Sequence, residues 1–155
     1  MIHVLLSLVG IFAGLVVVGG LMSGRRLDGW TGLFLVTTVL TNVTGFGFPF
    51  PPIIASHYVA ILSLLTLPAV LYALYRRRLA GPWRRVFVIG TVLTLYLNVF
   101  VLVVQLFRRL PALLASAPKQ TEPPFVIVQL LVLGMFAWLG RAALKGYPEP
   151  PPRAA

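Results

Sequence analysis

The chain has 155 residues, of which 59% are hydrophobic and 10% charged. Soluble domains carry about a quarter charged residues, so this composition excludes an ordinary water-soluble protein. The formal net charge of +10 would suggest nucleic-acid binding in a soluble chain; here we interpret it as the basic flanks of membrane helices, and we predict no nucleic-acid partner. Cysteine is absent, which excludes disulfides and thiolate chemistry.

Five apolar stretches without Lys, Arg, Asp or Glu follow one another along the chain. A hydrocarbon core ~30 Å thick requires ~20 apolar helical residues. The sequence therefore predicts an all-α, polytopic transmembrane helix bundle with five spans, formed by residues 1–147 as one domain. The stretches are Ile2–Met22, Trp30–Pro49, Ile53–Tyr75, Val86–Phe107 and Phe125–Gly140, the last continuing to residue 144. The Pro-rich residues 148–155 are predicted to form a disordered tail.

The first stretch, Ile2–Met22, could be mistaken for a signal peptide. It has no basic residues before it, its apolar run exceeds the usual length, and no small-residue cleavage motif follows. Arg25 and Arg26 come after the run instead. We therefore expect a retained helix with its N-terminus outside.

The basic residues lie on alternate sides of the five stretches. Positive residues favour the cytoplasmic side, which predicts an outside N-terminus and an inside C-terminus. The segments after stretches one, three and five hold Arg25, Arg26, Arg76, Arg77, Arg78, Arg84, Arg85, Arg141, Lys145 and Arg153; the other side holds Arg108, Arg109 and Lys119. We call these two sides of the bundle the inner and the outer end.

Prolines mark the connections and one bend. Three prolines in residues 48–52 end the second helix at the outer end. Pro68 lies within the third stretch and predicts a kink near Leu64. The longest connection, residues 108–124, contains the stretch 110–115, for which we predict a short helix in the membrane interface.

Polar side chains within the stretches should face the bundle, because uncompensated polar groups are costly in lipid. In the fourth stretch such residues recur on one helix face, namely Thr91, Thr94, Asn98, Gln105 and Arg108. Helical rise predicts two layers. The middle layer holds Asn42 and Asn98 with Thr38, Thr41 and Thr94, and the outer layer holds His3, His57, Gln105 and Gln129.

These layers have two interpretations. Hydrogen bonds across helix interfaces would make them structural. Alternatively they line an outward-facing polar cavity, whose candidate ligand-binding residues are Asn42, His57, Thr94, Asn98, Gln105 and Gln129. The acidic residues Asp28, Glu122 and Glu149 all lie in loops or the tail, which argues against an ion-coupled pump because such pumps need an ionisable group at depth.

The two histidines raise a cofactor hypothesis. Both His3 and His57 lie at the outer end, so axial ligation of haem b is a conceivable alternative. We find no zinc-ligand set and no nucleophile elbow, zinc-protease, phosphate-loop or dinucleotide motif. We therefore expect no enzyme, no catalytic residues and no cofactor.

Two glycine pairs occur at G-x-x-x-G spacing, Gly10 with Gly14 and Gly20 with Gly24. Such pairs let helix backbones approach closely. We predict a contact there, within the bundle or with another membrane subunit or a second copy.

Three segments carry a resemblance: Leu40–Phe50, Ser56–Val59 and Tyr96–Gln105. They resemble small, uncharacterised multi-pass inner-membrane proteins of bacteria, over most of residues 29–140. The resemblance implies a bacterial inner-membrane setting and supplies no catalytic residues.

Three functional hypotheses follow. The first is a non-enzymatic accessory or assembly subunit of a membrane complex. The second is a carrier or receptor for a small neutral or quinone-like ligand in the polar cavity. The third is a haem-bearing membrane electron carrier that uses His57.

Overall fold

The computed structural model describes residues 2–46 and 55–148, and 86% of these residues are helical, with no strand among them. The helices are α1 (Ile2–Met22), α2 (Asp28–Phe46), α3 (Ala55–Leu71), α4 (Pro82–Arg109), α5 (Pro111–Ser116) and α6 (Pro123–Gly146), with a π-helical turn at Tyr72–Arg76 that continues α3. The all-α prediction is confirmed. The predicted outer turn at residues 48–52 and the tail from residue 149 lie outside the described residues.

Four segments among the described residues are long and apolar enough to cross a membrane. They are Ile2–Met22, Tyr58–Arg76, Pro82–Arg109 and Pro123–Gly146. Helix α2 is not among them, since its 19 residues include five threonines together with Asp28 and Asn42. By length and composition, the described residues thus hold four candidate membrane spans, as a membrane protein would.

Helices α1 and α2 form an antiparallel hairpin along their whole length. At one end the His3 Nδ1 lies 3.0 Å from the Thr44 hydroxyl oxygen. Further along, a Cβ added at Gly10 would lie 3.0 Å from the Thr37 hydroxyl, and one at Gly14 would lie 2.9 Å from the Phe34 ring. These contacts show the two helices in register from one end to the other.

Helices α1 to α4 surround a common interior. α1 packs against α2 and α4, α2 against α3, and α3 against α4, so α2 and α4 lie diagonally across the group. We call this group the four-helix ring. Its largest fully buried apolar side chains include Leu21, Phe34, Leu67, Val70, Phe87 and Leu95. Helix α6 lies beside the ring, against α4 and α1.

The connection between α3 and α4 is tight and anchored in the core. Helix α3 continues through Pro68, and the π-helical turn Tyr72–Arg76 follows four residues later. Arg78 and Leu79 then both adopt positive φ, at 48° and 61°. The Leu79 side chain is buried, and its N–H donates to the Ala73 carbonyl over 3.0 Å. The chain reverses direction here within a few residues.

The loop at the opposite end of α4 folds back onto the bundle. The predicted short helix is present as α5 at Pro111–Ser116. Ala117, which follows it, is fully buried in a small cluster with Val103 and Phe107 of α4. The Gln120 side chain donates to the Val104 carbonyl over 2.9 Å. The loop therefore covers the outer ends of α4 and α6.

Candidate functional site

The middle polar layer forms hydrogen bonds between helices. The Asn98 amide donates to the Thr38 hydroxyl over 3.1 Å, which joins α4 to α2 across the four-helix ring. The Asn42 amide donates to the Ser63 hydroxyl over 2.8 Å, which joins α2 to α3. All four side chains are buried. Three residues of the predicted middle layer, Asn42, Asn98 and Thr38, thus take part in two interhelical bonds, a role that polar residues commonly have in membrane proteins.

Two threonines on the same face of α4 behave differently. Thr91 and Thr94 are completely buried, and neither hydroxyl has a hydrogen-bond partner among the described residues. By contrast, four other threonines donate to the carbonyl four residues earlier, at distances between 2.6 and 2.9 Å: Thr31, Thr37, Thr44 and Thr66. This back-bonding is the usual arrangement for a threonine in a membrane helix.

The position of Asn98 shows which way the side chains of Thr91 and Thr94 face. Thr91 and Thr94 precede Asn98 by seven and four residues, so all three share one face of α4. Because Asn98 reaches Thr38 of α2, this face looks into the ring. Thr41 of α2 also carries a buried hydroxyl without a partner in the described part of the chain. The ring interior thus holds unused hydrogen-bonding capacity beside its two interhelical bonds.

The predicted outer layer is not gathered in one place. The Gln129 amide donates to the Phe100 carbonyl over 3.3 Å, which joins α6 to α4. Phe100 and Asn98 are two residues apart, which places them on nearly opposite sides of α4. Gln129 therefore lies outside the four-helix ring, whereas Gln105 is half-buried on the ring-facing side of α4.

The histidines lie on different helices, and only one has a described side chain. His3 contacts Thr44 of α2. His57 lies in α3, and its side chain falls outside the described residues. Among the described residues, no group of three or more His, Cys, Asp or Glu side chains could hold a metal ion.

The predicted glycine contacts have different roles. Gly14 lets α1 approach both partners in the ring, because an added Cβ would lie 2.6 Å from Leu95 and 2.9 Å from Phe34. Gly20 instead faces the turn after α1, with an added Cβ 2.9 Å from Leu27, and Gly24 has a φ of +70° that ends the helix. The first pair is engaged within the chain, and the second shapes a turn.

Two further glycines form tighter contacts that no spacing motif revealed. A Cβ at Gly90 would lie 2.4 Å from the Val70 side chain, at the contact of α4 with α3. A Cβ at Gly146 would lie 2.1 Å from the Met22 carbonyl oxygen, where the ends of α6 and α1 meet. Both positions are close helix contacts of the kind that small residues permit.

A buried arginine fastens the inner end of α6. Arg84 is 7% exposed, and its guanidinium donates to the Leu144 carbonyl over 3.2 Å and to the Tyr147 carbonyl. A cation at the carboxyl end of a helix complements the helix dipole and satisfies its last carbonyls. Burial also raises the pKa of the Tyr147 phenol above its usual value. The sequence placed Arg84 among the inner basic residues and offered no sign that it differs from Arg85, which is exposed.

No protein-family model matches this chain, and neither curated proteins nor solved structures show significant similarity to it.

Proposed function

We propose that this protein is a non-catalytic subunit of the bacterial inner membrane that assists or assembles a larger membrane complex. The observation that carries the proposal is an uncovered apolar surface on α6. Ile127, Leu130, Leu131, Gly134 and Trp138 share one helix face by their spacing, and all five are exposed. We call these residues the α6 face.

The α6 face has the shape of a helix-docking surface. A Cβ added at Gly134 would meet nothing within 4 Å, so this glycine serves no contact with the described residues of the chain. Glycine in a helix interior costs about 1 kcal/mol relative to alanine. Between Leu130 and Trp138 it leaves a notch into which a helix of another subunit fits closely. Because α6 is fastened at its inner end by Arg84, this surface is presented on a fixed support.

The proposal includes five spans, with α2 as the fifth. The contacts of the hairpin run from His3 and Thr44 at one end to Gly20 and Leu27, the residue before α2, at the other. If α1 crosses the membrane, α2 extends to the same depth. The apolar side chains of α2 that face away from the ring, Leu33, Val36, Leu40 and Val43, recur at intervals of three and four residues and are exposed. Lipid is a suitable environment for such a face.

The orientation can be tested with single cysteines, since the native chain has none. Ser116→Cys places a thiol on an exposed residue at the outer end, and Arg78→Cys places one on an exposed residue at the inner end. In intact cells an impermeant maleimide should label only the first, and after lysis it should label both. Labelling of the Arg78→Cys protein in intact cells would reverse the proposed topology.

The subunit role is tested by purification from native membranes in mild detergent. A stoichiometric partner should accompany the unaltered protein and be lost from Gly134→Leu, because leucine fills the notch. Gly19→Leu is the matched control, since Gly19 is also exposed and a Cβ there meets nothing within 4 Å. Both variants should unfold at the temperature of the unaltered protein. A partner retained by Gly134→Leu, or absent from every preparation, rejects the proposal.

A second candidate function rests on the ring interior. Thr91 and Thr94 offer two buried hydroxyls without partners in the described structure, next to Asn98. A small neutral ligand that donates and accepts hydrogen bonds would satisfy them, and no carboxylate is buried among the described residues of the ring to recruit a cation. Organic extracts of the purified protein should then contain a molecule that is missing from Thr94→Val. Identical extracts reject this candidate.

The haem alternative has a direct test. An absorption spectrum of the purified protein without a Soret band, both oxidised and reduced, eliminates the electron-carrier hypothesis for His3 and His57.

A further inference from the structure

Exposed arginines crowd the turn between α3 and α4. Arg76, Arg77, Arg78 and Arg85 lie within ten residues around this single reversal of the chain, and all four are exposed. We call this set the arginine cluster. Among the residues that the structure describes, the one salt bridge joins Arg26 to Asp28. The four guanidiniums therefore have no carboxylate partner in the described structure.

The cluster stands on an ordered backbone. The buried Leu79 side chain anchors the turn, and the Ala80 N–H donates to the Arg77 carbonyl over 3.0 Å. The Arg77 guanidinium lies 5.2 Å from the centre of the Trp83 ring, and that ring in turn packs edge-on against Tyr72 at 4.8 Å. A cation over a tryptophan face is held electrostatically. Binding to such a preformed site loses less conformational entropy than binding to a flexible loop.

The location of the arginine cluster indicates which chemical groups surround it in a membrane. The turn lies directly between two candidate spans, Tyr58–Arg76 and Pro82–Arg109. Tyrosine and tryptophan at the end of a span favour the headgroup level of the bilayer, so Tyr72 and Trp83 place the adjacent guanidiniums beside lipid phosphates. Arginine binds phosphate through parallel N–H donors.

We propose that the arginine cluster is a binding site for the headgroup of an anionic phospholipid. Arg76, Arg78 and Arg85 contact the phosphate, and Arg77, held on Trp83, completes the positive surface. The outer end differs in charge: its basic residues in the described part of the chain are Arg108, Arg109 and Lys119, and the acidic Glu122 lies in the same connection between α4 and α6. The site is independent of the proposed role as a subunit.

The experiment measures which lipid lies next to Trp83. The protein, with Trp30→Phe and Trp138→Phe to leave one tryptophan, is reconstituted in phosphatidylcholine with a small share of brominated phosphatidylglycerol or brominated phosphatidylcholine. Bromine quenches tryptophan fluorescence at contact distance. We expect brominated phosphatidylglycerol to be enriched roughly tenfold over brominated phosphatidylcholine, which corresponds to about 1.4 kcal/mol, because guanidinium groups at the membrane surface attract anionic lipids.

The control variants separate the site from general charge. Arg76→Gln/Arg78→Gln/Arg85→Gln should reduce the enrichment to about onefold, whereas Arg108→Gln/Arg109→Gln should leave it unchanged. Quenching by brominated phosphatidylcholine alone should be equal in all variants and reports that each is folded and inserted. Enrichment that survives the triple substitution overturns the proposal, as does an equal loss in the Arg108 and Arg109 variant. Loss of the enrichment on addition of millimolar inorganic phosphate would assign the site to free phosphate instead and also overturn it.

Discussion

Helices α4 and α6 are both long and apolar enough to cross a membrane, yet they occupy opposite environments. Half of the residues in the apolar part of α4 are buried, against 11% in α6. Because lipid tails are as apolar as leucine, hydrophobicity does not decide which helix is covered by protein. The buried face of α4 instead carries small and polar residues, including Gly90, Thr91, Thr94 and Asn98.

The glycines of the two helices show the same difference. Gly90 of α4 lies against Val70 with no space for a Cβ, whereas Gly134 of α6 has open space around it. Helix α6 packs against the ring along one side, where Gln129, Phe136 and Ala143 are buried, and its opposite side, which includes Gly134, is exposed. A close contact between helices thus depends on what faces the glycine, which the residue type alone does not reveal.

The largest expected effect comes from the inner fastening of α6. In Gly146→Ala the new methyl group would meet the Met22 carbonyl oxygen, a backbone atom that cannot rotate away. We expect a loss of about 3 kcal/mol of stability, at the upper end for overpacking, measured by thermal unfolding in detergent. Gly134→Ala is the control and should be neutral or slightly stabilising. Equal stability of the two variants would mean that α6 is not held by this contact.

The next effect concerns the bond from α4 to α6. Arg84→Gln removes the charged donor to the Leu144 and Tyr147 carbonyls, and hydrogen bonds to charged groups contribute about 1.5–3 kcal/mol each. We expect a loss of about 2 kcal/mol and faster proteolysis at the end of α6. Arg109→Gln, at an exposed residue of the same helix, should change stability by less than about 0.5 kcal/mol. Similar losses in both variants would show that net charge matters and the buried contact does not.

A smaller effect is expected for the polar face of α4. Asn98→Leu removes the donor to Thr38, and such bonds in membrane proteins contribute about 0.6 kcal/mol on average. A double-mutant cycle with Thr38→Val should return a coupling energy of about that size. A coupling energy of zero, together with higher stability of Asn98→Leu, would show that the bond between Asn98 and Thr38 does not hold α2 in place.

The smallest effect is expected at Thr91. Valine has the same shape and lacks the hydroxyl that has no partner in the described structure. Since an unsatisfied buried polar group is unfavourable, Thr91→Val should leave stability unchanged or raise it by up to about 1 kcal/mol. Thr37→Val, which removes a back-bonded hydroxyl, is the comparison. A marked destabilisation by Thr91→Val would indicate that the hydroxyl is satisfied in the membrane, as the ligand hypothesis requires.

Periodicity and depth predicted a substantial part of the candidate site. Helix geometry predicts that Thr94 and Asn98 share one face of α4 that is turned toward the bundle, and both side chains are buried in the structure. The hydrogen-bond partners of Asn42 and Asn98 could not be predicted, because the sequence of one helix does not specify which helix packs against its polar face. Depth alone groups Gln129 with Gln105. In the structure Gln129 of α6 bonds to α4 from outside the ring, whereas Gln105 lies on the ring-facing side of α4.

The contrast between Arg84 and Arg85 shows the same limit at a single position. The two residues are adjacent and identical in type, so no local property of the sequence distinguishes them. Arg84 is buried because the end of α6 lies against that side of α4, and Arg85 points away from it. Packing between segments about 60 residues apart in the chain therefore determines which of the two arginines is buried.

The sequence by itself determined that the chain is helical and built for lipid, since long uncharged runs satisfy their backbone hydrogen bonds only as helices in that solvent. It also determined which helix faces are polar. Only the tertiary structure decided that α4 is central, that one face of α6 stays uncovered, and that Gly90 and Gly146 are contact points. Apolar helices in an apolar solvent gain little from hydrophobic burial, so their arrangement depends on shape and a few hydrogen bonds, which exist only when distant segments meet.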